Sequence, residues 1–212
     1  MRTEQQIKEY WDDVHVRQHL GALSGCEYQT TIDFLQITNV LIEGCRVLEV
    51  GVGLGYVTKG LKEHGMIVSA LDISTVALDR VREYCEGVYL VDEIDKMPTN
   101  YFDVVFCHNG VQHIPTYLLE MELFHLLRSL KKGGIFALEF ISTDLTQDTG
   151  VDSEVLQSLG WDDNIGCYCR QPDYLEKMIK VLGGKCKLVY DKRGDIAENI
   201  TGCHIFHVTK TL

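Results

Sequence analysis

Gly51, Gly53 and Gly55 stand at every second position directly after the apolar run Val47-Leu48-Glu49-Val50. Such a run reads as a buried parallel strand, and glycines at its end lack the Cβ atoms that would hold a ligand off the backbone. A helix from about Tyr56 to Glu63 begins where this turn ends. A second apolar run, Val68 to Leu71, closes in Asp72, about 20 residues beyond the first glycine. A carboxylate at that strand tip is placed to accept both hydroxyls of a ribose. Strand, glycine turn, helix, strand and acid, in that order, predict a site for a ribose-bearing ligand.

The spacing of the glycines narrows the ligand. A dinucleotide fingerprint is G-x-G-x-x-G, whose third glycine lets the helix approach the strand while its N-terminus holds a pyrophosphate. In this chain Tyr56 occupies the position of that third glycine, and the run is G-x-G-x-G. Glu49, just inside the turn, would repel a pyrophosphate but helps to hold a cationic amino group. S-Adenosylmethionine meets these demands, with an ammonium, a sulfonium, a ribose and no phosphate. On these residues the chain resembles the class I S-adenosylmethionine-dependent methyltransferases, whose first motif is (Asp/Glu)-x-Gly-x-Gly-x-Gly. The resemblance runs from about Arg46 to Thr209 and implies S-adenosylmethionine as cofactor.

In an open α/β sheet the ligand lies beyond the carboxyl ends of the strands, so each strand end is a candidate contributor. The first offers Glu49, Gly51, Gly53 and Gly55 to the methionine part of the cofactor. The second offers Asp72, with Ile73 as a wall for the adenine. The third ends in Asp92-Glu93-Ile94, and the resemblance implies that Asp92 takes the adenine amino group; as a plain turn it would serve as a cap. The fourth strand runs into Cys107-His108-Asn109-Gly110-Val111-Gln112-His113-Ile114-Pro115, similar to the family's fourth motif. There the resemblance implies His108 near the methionine end and His113 on the acceptor side. His113 is the candidate catalytic residue, able to take a proton from a hydroxyl as the methyl arrives, or else it orders the loop. Cys107 and Gln112 depart from the family's commoner residues, which bears on acceptor contacts.

A chain of 212 residues accommodates one well-buried α/β domain. A formal charge of −11 argues against a nucleic-acid partner, which requires a basic face, although RNA or protein methylation stays open as an alternative. Lys131-Lys132 reads as the cationic end of a helix. The opening Met1-Arg2-Thr3-Glu4-Gln5-Gln6 has no signal-peptide core, and no uncharged apolar run reaches membrane-spanning length, so no membrane partner is expected. Eight cysteines scattered in and beside strands match a reducing cytoplasm. Asp12 with His15 and His19, and separately Cys167, Cys169, Cys203, His204 and His207, lack a strong metal spacing, so no metal is expected. The sequence leaves a homodimer open.

Strands and helices alternate almost throughout. Helices are expected over about Glu4–Gln18, Gln29–Leu41, Tyr56–His64 and Ser74–Tyr84, then along an apolar face after Pro115 and over Pro172–Leu182. The strands between them demand right-handed crossovers and a mainly parallel sheet. The last two, Lys185–Tyr190 and His204–Thr209, have no helix between them and should lie antiparallel. With the resemblance, this is a Rossmann-like three-layer α/β sandwich, its mainly parallel seven-stranded sheet ending in a C-terminal antiparallel hairpin. Residues 1–42 read as a helical cap, carrying Tyr10-Trp11-Asp12, that either folds over the cofactor or covers an edge of the core. Residues 43–212 read as the methyltransferase domain, with a lid insertion at about 142–171 that contains Trp161 to Asn164 and Tyr168-Cys169-Arg170. The expected reaction is methyl transfer to an oxygen or nitrogen of a small-molecule acceptor, against a non-catalytic S-adenosylmethionine-binding protein. A nicotinamide oxidoreductase is disfavoured by Tyr56 and by the absence of a Tyr-x-x-x-Lys pair.

Overall fold

The computed structural model describes residues 3–17, 27–142, 168–197 and 200–211. Two helices open it, α1 (Glu4–Arg17) and α2 (Tyr28–Phe34). Then come β1 (Arg46–Val50), α3 (Tyr56–Glu63), β2 (Ile67–Asp72), α4 (Thr75–Val81), β3 (Gly87–Leu90) and β4 (Phe102–Cys107). The chain closes with α5 (Thr116–Ser129), β5 (Leu130–Ser142), α6 (Pro172–Val181), β6 (Gly184–Ala197) and β7 (Ile200–Lys210). The seven strands form one sheet in the order β3-β2-β1-β4-β5-β7-β6. The first five are parallel neighbours, and β7 enters antiparallel between β5 and β6. The Rossmann-like sheet with its C-terminal antiparallel hairpin is the architecture expected from the alternation of elements and from the resemblance.

The central strands β1, β2 and β4 are buried on both faces, which is why they are largely apolar runs. Alternate residues divide between the faces. Val47, Val104, Phe106 and Ala137 pack beneath α2 and α3, while Leu48, Val50, Val105 and Phe136 pack against α5 and α6. This sandwich fixes the carboxyl ends of β1, β2 and β4 side by side, in the register Val50–Leu71 and Val50–Cys107.

Three local expectations fail for identifiable reasons. Lys131-Lys132 does not end a helix: α5 stops at Ser129, both lysines lie in β5, and Lys131 Nζ is 2.7 Å from an Asp103 carboxylate oxygen on β4. The expected Gln29–Leu41 helix ends at Phe34, because Gln36 takes a positive φ of 56° and Thr38 donates back to Asp33 at 2.9 Å. That turn buries both Leu35 and Ile37, which had extended the apolar pattern. The Ser74–Tyr84 helix tightens into a 3₁₀ turn at Arg82–Tyr84, although Ser74 caps it as expected, accepting from the Ala77 amide at 3.2 Å. Most of the proposed lid, residues 143–167, and the joint at 18–26, with His19, lie outside the described residues.

On α3, Gly60 lets α2 lie close: a Cβ there would fall 2.5 Å from Cγ of Tyr28, whose ring stacks on His64 at 4.4 Å. Gly60→Ala should therefore destabilise the protein by about 1–3 kcal/mol, despite the helix propensity gained. Urea unfolding of the variant checks this; equal or greater stability would mean that the α2–α3 contact is loose.

Candidate active site

Beyond the ends of β1, β2 and β4 lies a cleft of about 1120 Å³, counting the open space at its mouth. Its floor is the glycine turn. Gly51, Gly53 and Gly55 all have positive φ, and a Cβ on Gly55 would meet Cγ1 of Val81 at 2.5 Å, so α3 starts where only glycine fits.

The acid at the end of β2 is tied into this turn. One oxygen of Asp72 accepts from the Val52 amide at 2.8 Å and more weakly from Gly53 at 3.5 Å. The other accepts from Ser74 at 2.8 Å. Burial raises the Asp72 pKa, opposed by these amides and by His15. Glu49 is also buried, and Thr58 donates to it at 2.6 Å. Burial pushes the Glu49 carboxyl up to about 8, so near neutral pH it is mostly protonated.

Helix α1 roofs the cleft. Ile7, Trp11 and His15, spaced four apart, line it from above. Asp12, on a neighbouring face, accepts from Ser74 Oγ at 2.7 Å and from the Val76 amide at 3.3 Å, and pairs with Lys8 at 2.9 Å. Burial works against the Asp12 charge, but the hydrogen bonds from Ser74 and Lys8 outweigh it and hold the carboxyl below its usual range. Arg80 adds a bond to the His15 carbonyl at 2.7 Å. The aromatic segment of α1 thus lies over the cleft, its Trp11 ring 5.0 Å from that of His113 in an edge-on contact.

The loop after β4 forms the far wall. His108 is 3.4 Å from Thr31 Oγ1 through Nδ1 and 3.9 Å from Glu139 through Nε2, and burial lowers its pKa against the pull of Glu139. Glu139 also accepts the Asn109 amide at 2.6 Å, which holds Asn109 at a φ of 55°. From beneath, the fully buried Arg170 donates to the carbonyls of Val111, at 2.8 Å, and Ile114. Arg170, near the end of the expected lid insertion, is a strut for the loop that carries His113.

Glu49, Gly51, Gly53, Gly55, Asp72, Ile73, His108 and His113 are thus brought to one cleft. Asp92 is not among its lining residues. It is exposed on an adjoining depression that shares Ile73 and Val91 with the cleft. Sequence reasoning missed Glu139 and Arg170, which act through the fold and leave no local pattern, and Glu122 of α5, which lines the cleft from an otherwise apolar helix face. Among the described residues no cluster of three or more His, Cys, Asp or Glu side chains converges as a metal site, and no helix is long and apolar enough to cross a membrane.

A family model described as a methyltransferase domain matches residues 48–138. An S-adenosyl-L-methionine-dependent Diels-Alderase of Talaromyces variabilis is 29% identical over 45% of this chain and 36% of its own length. A ubiquinone biosynthesis O-methyltransferase of Coxiella burnetii is 28% identical over 36% of each chain. This chain therefore spans about a third of the length of those relatives. Among solved structures, the 1,6-didemethyltoxoflavin-N1-methyltransferase of Burkholderia thailandensis superposes with a TM-score of 0.72 at 12% identity, covering 100% of this chain and 92% of that one. The [4+2]-cyclase SpnF superposes at 0.70 with 14% identity, covering 99% and 97%. At such identities these two likenesses speak for the fold. The matched segment opens on the strand before the glycine turn and closes on β5, and so takes in the three strand ends that bound the cleft; over those residues the chain is similar to methyltransferase domains.

Proposed function

We propose that this protein transfers the methyl group of S-adenosylmethionine to an oxygen or nitrogen of a small-molecule acceptor. The observation that carries the reading is the pairing, in one roofed cleft, of a glycine turn pinned by Asp72 with a buried Glu49 that has no cationic partner among the described residues. The residues fit the cofactor. Asp72 retains lone pairs for ribose hydroxyls while its amide bonds hold it in place. Glu49 lies beside the turn where an ammonium would sit, and the apolar side chain of Ile73 borders Asp72 where a base would follow the ribose. His108 lines the wall beside the methionine end. Residues 1–42 serve as a cap, with Trp11 presenting an aromatic ring to a cation beneath it.

S-Adenosylmethionine, when bound, supplies an electrophilic methyl on a sulfonium that an acceptor displaces in line. The protein's contribution is largely positional: Asp72 and Glu49 fix the two ends of the donor, and the cleft admits the acceptor from the side of His113. His113, on the loop braced by Arg170 and against the Trp11 ring, takes the proton from a hydroxyl acceptor. An amine uses its own lone pair and needs His113 only as an anchor. Binding of S-adenosylmethionine without methyl transfer is a second reading, favoured by the S-adenosyl-L-methionine-dependent Diels-Alderase among the similar proteins, an enzyme named for another reaction.

Two outcomes follow. Formation of S-adenosylhomocysteine by the purified protein should depend on an added phenol, enol or amine acceptor. For a hydroxyl acceptor His113→Ala should cut kcat about 100-fold while leaving S-adenosylhomocysteine affinity within about twofold. Tight binding with no acceptor-dependent turnover across such a panel would favour the second reading. The other outcome concerns Glu49, which is mostly protonated at pH 7 and should ionise when an ammonium is placed against it. Binding of S-adenosylhomocysteine at pH 7 should then release up to about one proton, read as a buffer-dependent calorimetric enthalpy. Glu49→Gln should abolish that dependence; its persistence would move the proton to another group.

A further inference from the structure

Glu122 stands apart from the other polar groups of the cleft. It is 4% exposed on α5, lines the cleft, and makes no hydrogen bond to any described residue. Leu118, one turn earlier on the same face, lines the cleft with it, as do Ile73, Val91 and Ile114. The charges of Glu4, which borders the depression formed with Ile73, Val91 and Asp92, and of Arg170 both act on Glu122. Helix α5 is also clamped to the turn after β3, where Arg128 donates to the carbonyls of Asp95 and Met97 at 2.8 and 3.0 Å. Glu122 thus lines the cleft together with Asp72, Ile73 and Val91, from a helix bonded to the turn after β3, the side on which the base of a ribose-held cofactor would lie.

We propose that Glu122 reads the amino edge of the adenine, in the place the sequence had given to Asp92. The assignment rests on the S-adenosylmethionine reading above. The apolar side chains of Ile73, Val91, Ile114 and Leu118 in the lining suit a flat heterocycle, and a polar group placed at its edge would give that heterocycle one orientation. Burial and the facing Glu4 push the Glu122 carboxyl up to about 8, so near neutral pH it is a carboxylic acid with one donor and one acceptor. The 6-amino group of adenine offers a donor, and the adjacent ring nitrogen an acceptor, which is the complementary pair. Asp92, by contrast, is exposed and stays solvated.

Calorimetric titration with S-adenosylhomocysteine and with its 6-deamino analogue, the purine riboside form, tests the assignment. The wild-type protein should prefer the amino compound by about tenfold or more, because a site that pairs with the edge is left unsatisfied by the analogue. Glu122→Leu should bind S-adenosylhomocysteine at least about tenfold more weakly and lose the preference. Glu122→Gln, whose amide keeps a donor and an acceptor, should stay within about threefold of wild type and retain it. Asp92→Ala should leave the preference intact. A Glu122→Leu variant that still discriminates, or that weakens both ligands equally, would overturn the assignment alone, as would loss of discrimination in Asp92→Ala. Wild-type protein that binds neither ligand would overturn the cofactor reading, and this assignment with it.

Discussion

The Asp72 carboxylate holds the glycine turn, the start of α4 and, through Ser74, the roof helix in one hydrogen-bonded chain. It accepts from Val52 and Gly53 on one side and from Ser74 on the other, while Ser74 Oγ donates to Asp12 on α1. Taking a carboxylate out of water is unfavourable, and backbone amides aimed at it are the strong, charge-assisted kind of bond that offsets the cost. The consequence is geometric. The turn after β1 and the tip of β2 cannot move independently, and α1 is set over the cleft by the same row of donors and acceptors.

The chemistry of the cleft follows from what surrounds that chain. Three carboxyl groups, Glu49, Asp72 and Glu122, border it, whereas no lysine or arginine is among its described lining residues. Burial raises the pKa of all three. With their carboxyls pushed up to about 8, Glu49 and Glu122 are mostly protonated near neutral pH, which avoids the repulsion that three bare charges would suffer, and Glu49 ionises when a cation is placed against it. Such a site favours a ligand with positive charge and disfavours a phosphate, in agreement with the argument drawn from the glycine spacing.

What was legible in the sequence was whatever local rules dictate. β-Branched runs ending in glycine or aspartate located the strands, and Ser74 announced its own cap. The parallel run of strands from β1 to β5 follows from strand–helix alternation, and the missing helix after β6 gave the hairpin. The errors arose where a tertiary contact outcompeted a local rule: Lys131 matched the pattern of a helix end but is paired with Asp103 on the neighbouring strand. Leu35 and Ile37 prolonged an apolar pattern that the chain satisfies with a turn. The places that Arg170 and Glu122 take in the fold were not legible. One supports a loop more than fifty positions away in the chain, and the other interrupts an apolar helix face with no neighbouring motif to mark it.

If Asp72 is the hub, its charge must be felt by the ligand as well as by the turn. Titration of S-adenosylhomocysteine into wild-type protein and Asp72→Asn, with circular dichroism to verify that both are folded, measures this directly. Loss of two charge-assisted hydrogen bonds to the ribose should weaken binding by about 30-fold or more. A folded Asp72→Asn protein with unchanged affinity would contradict the account, because the ribose would then lie elsewhere.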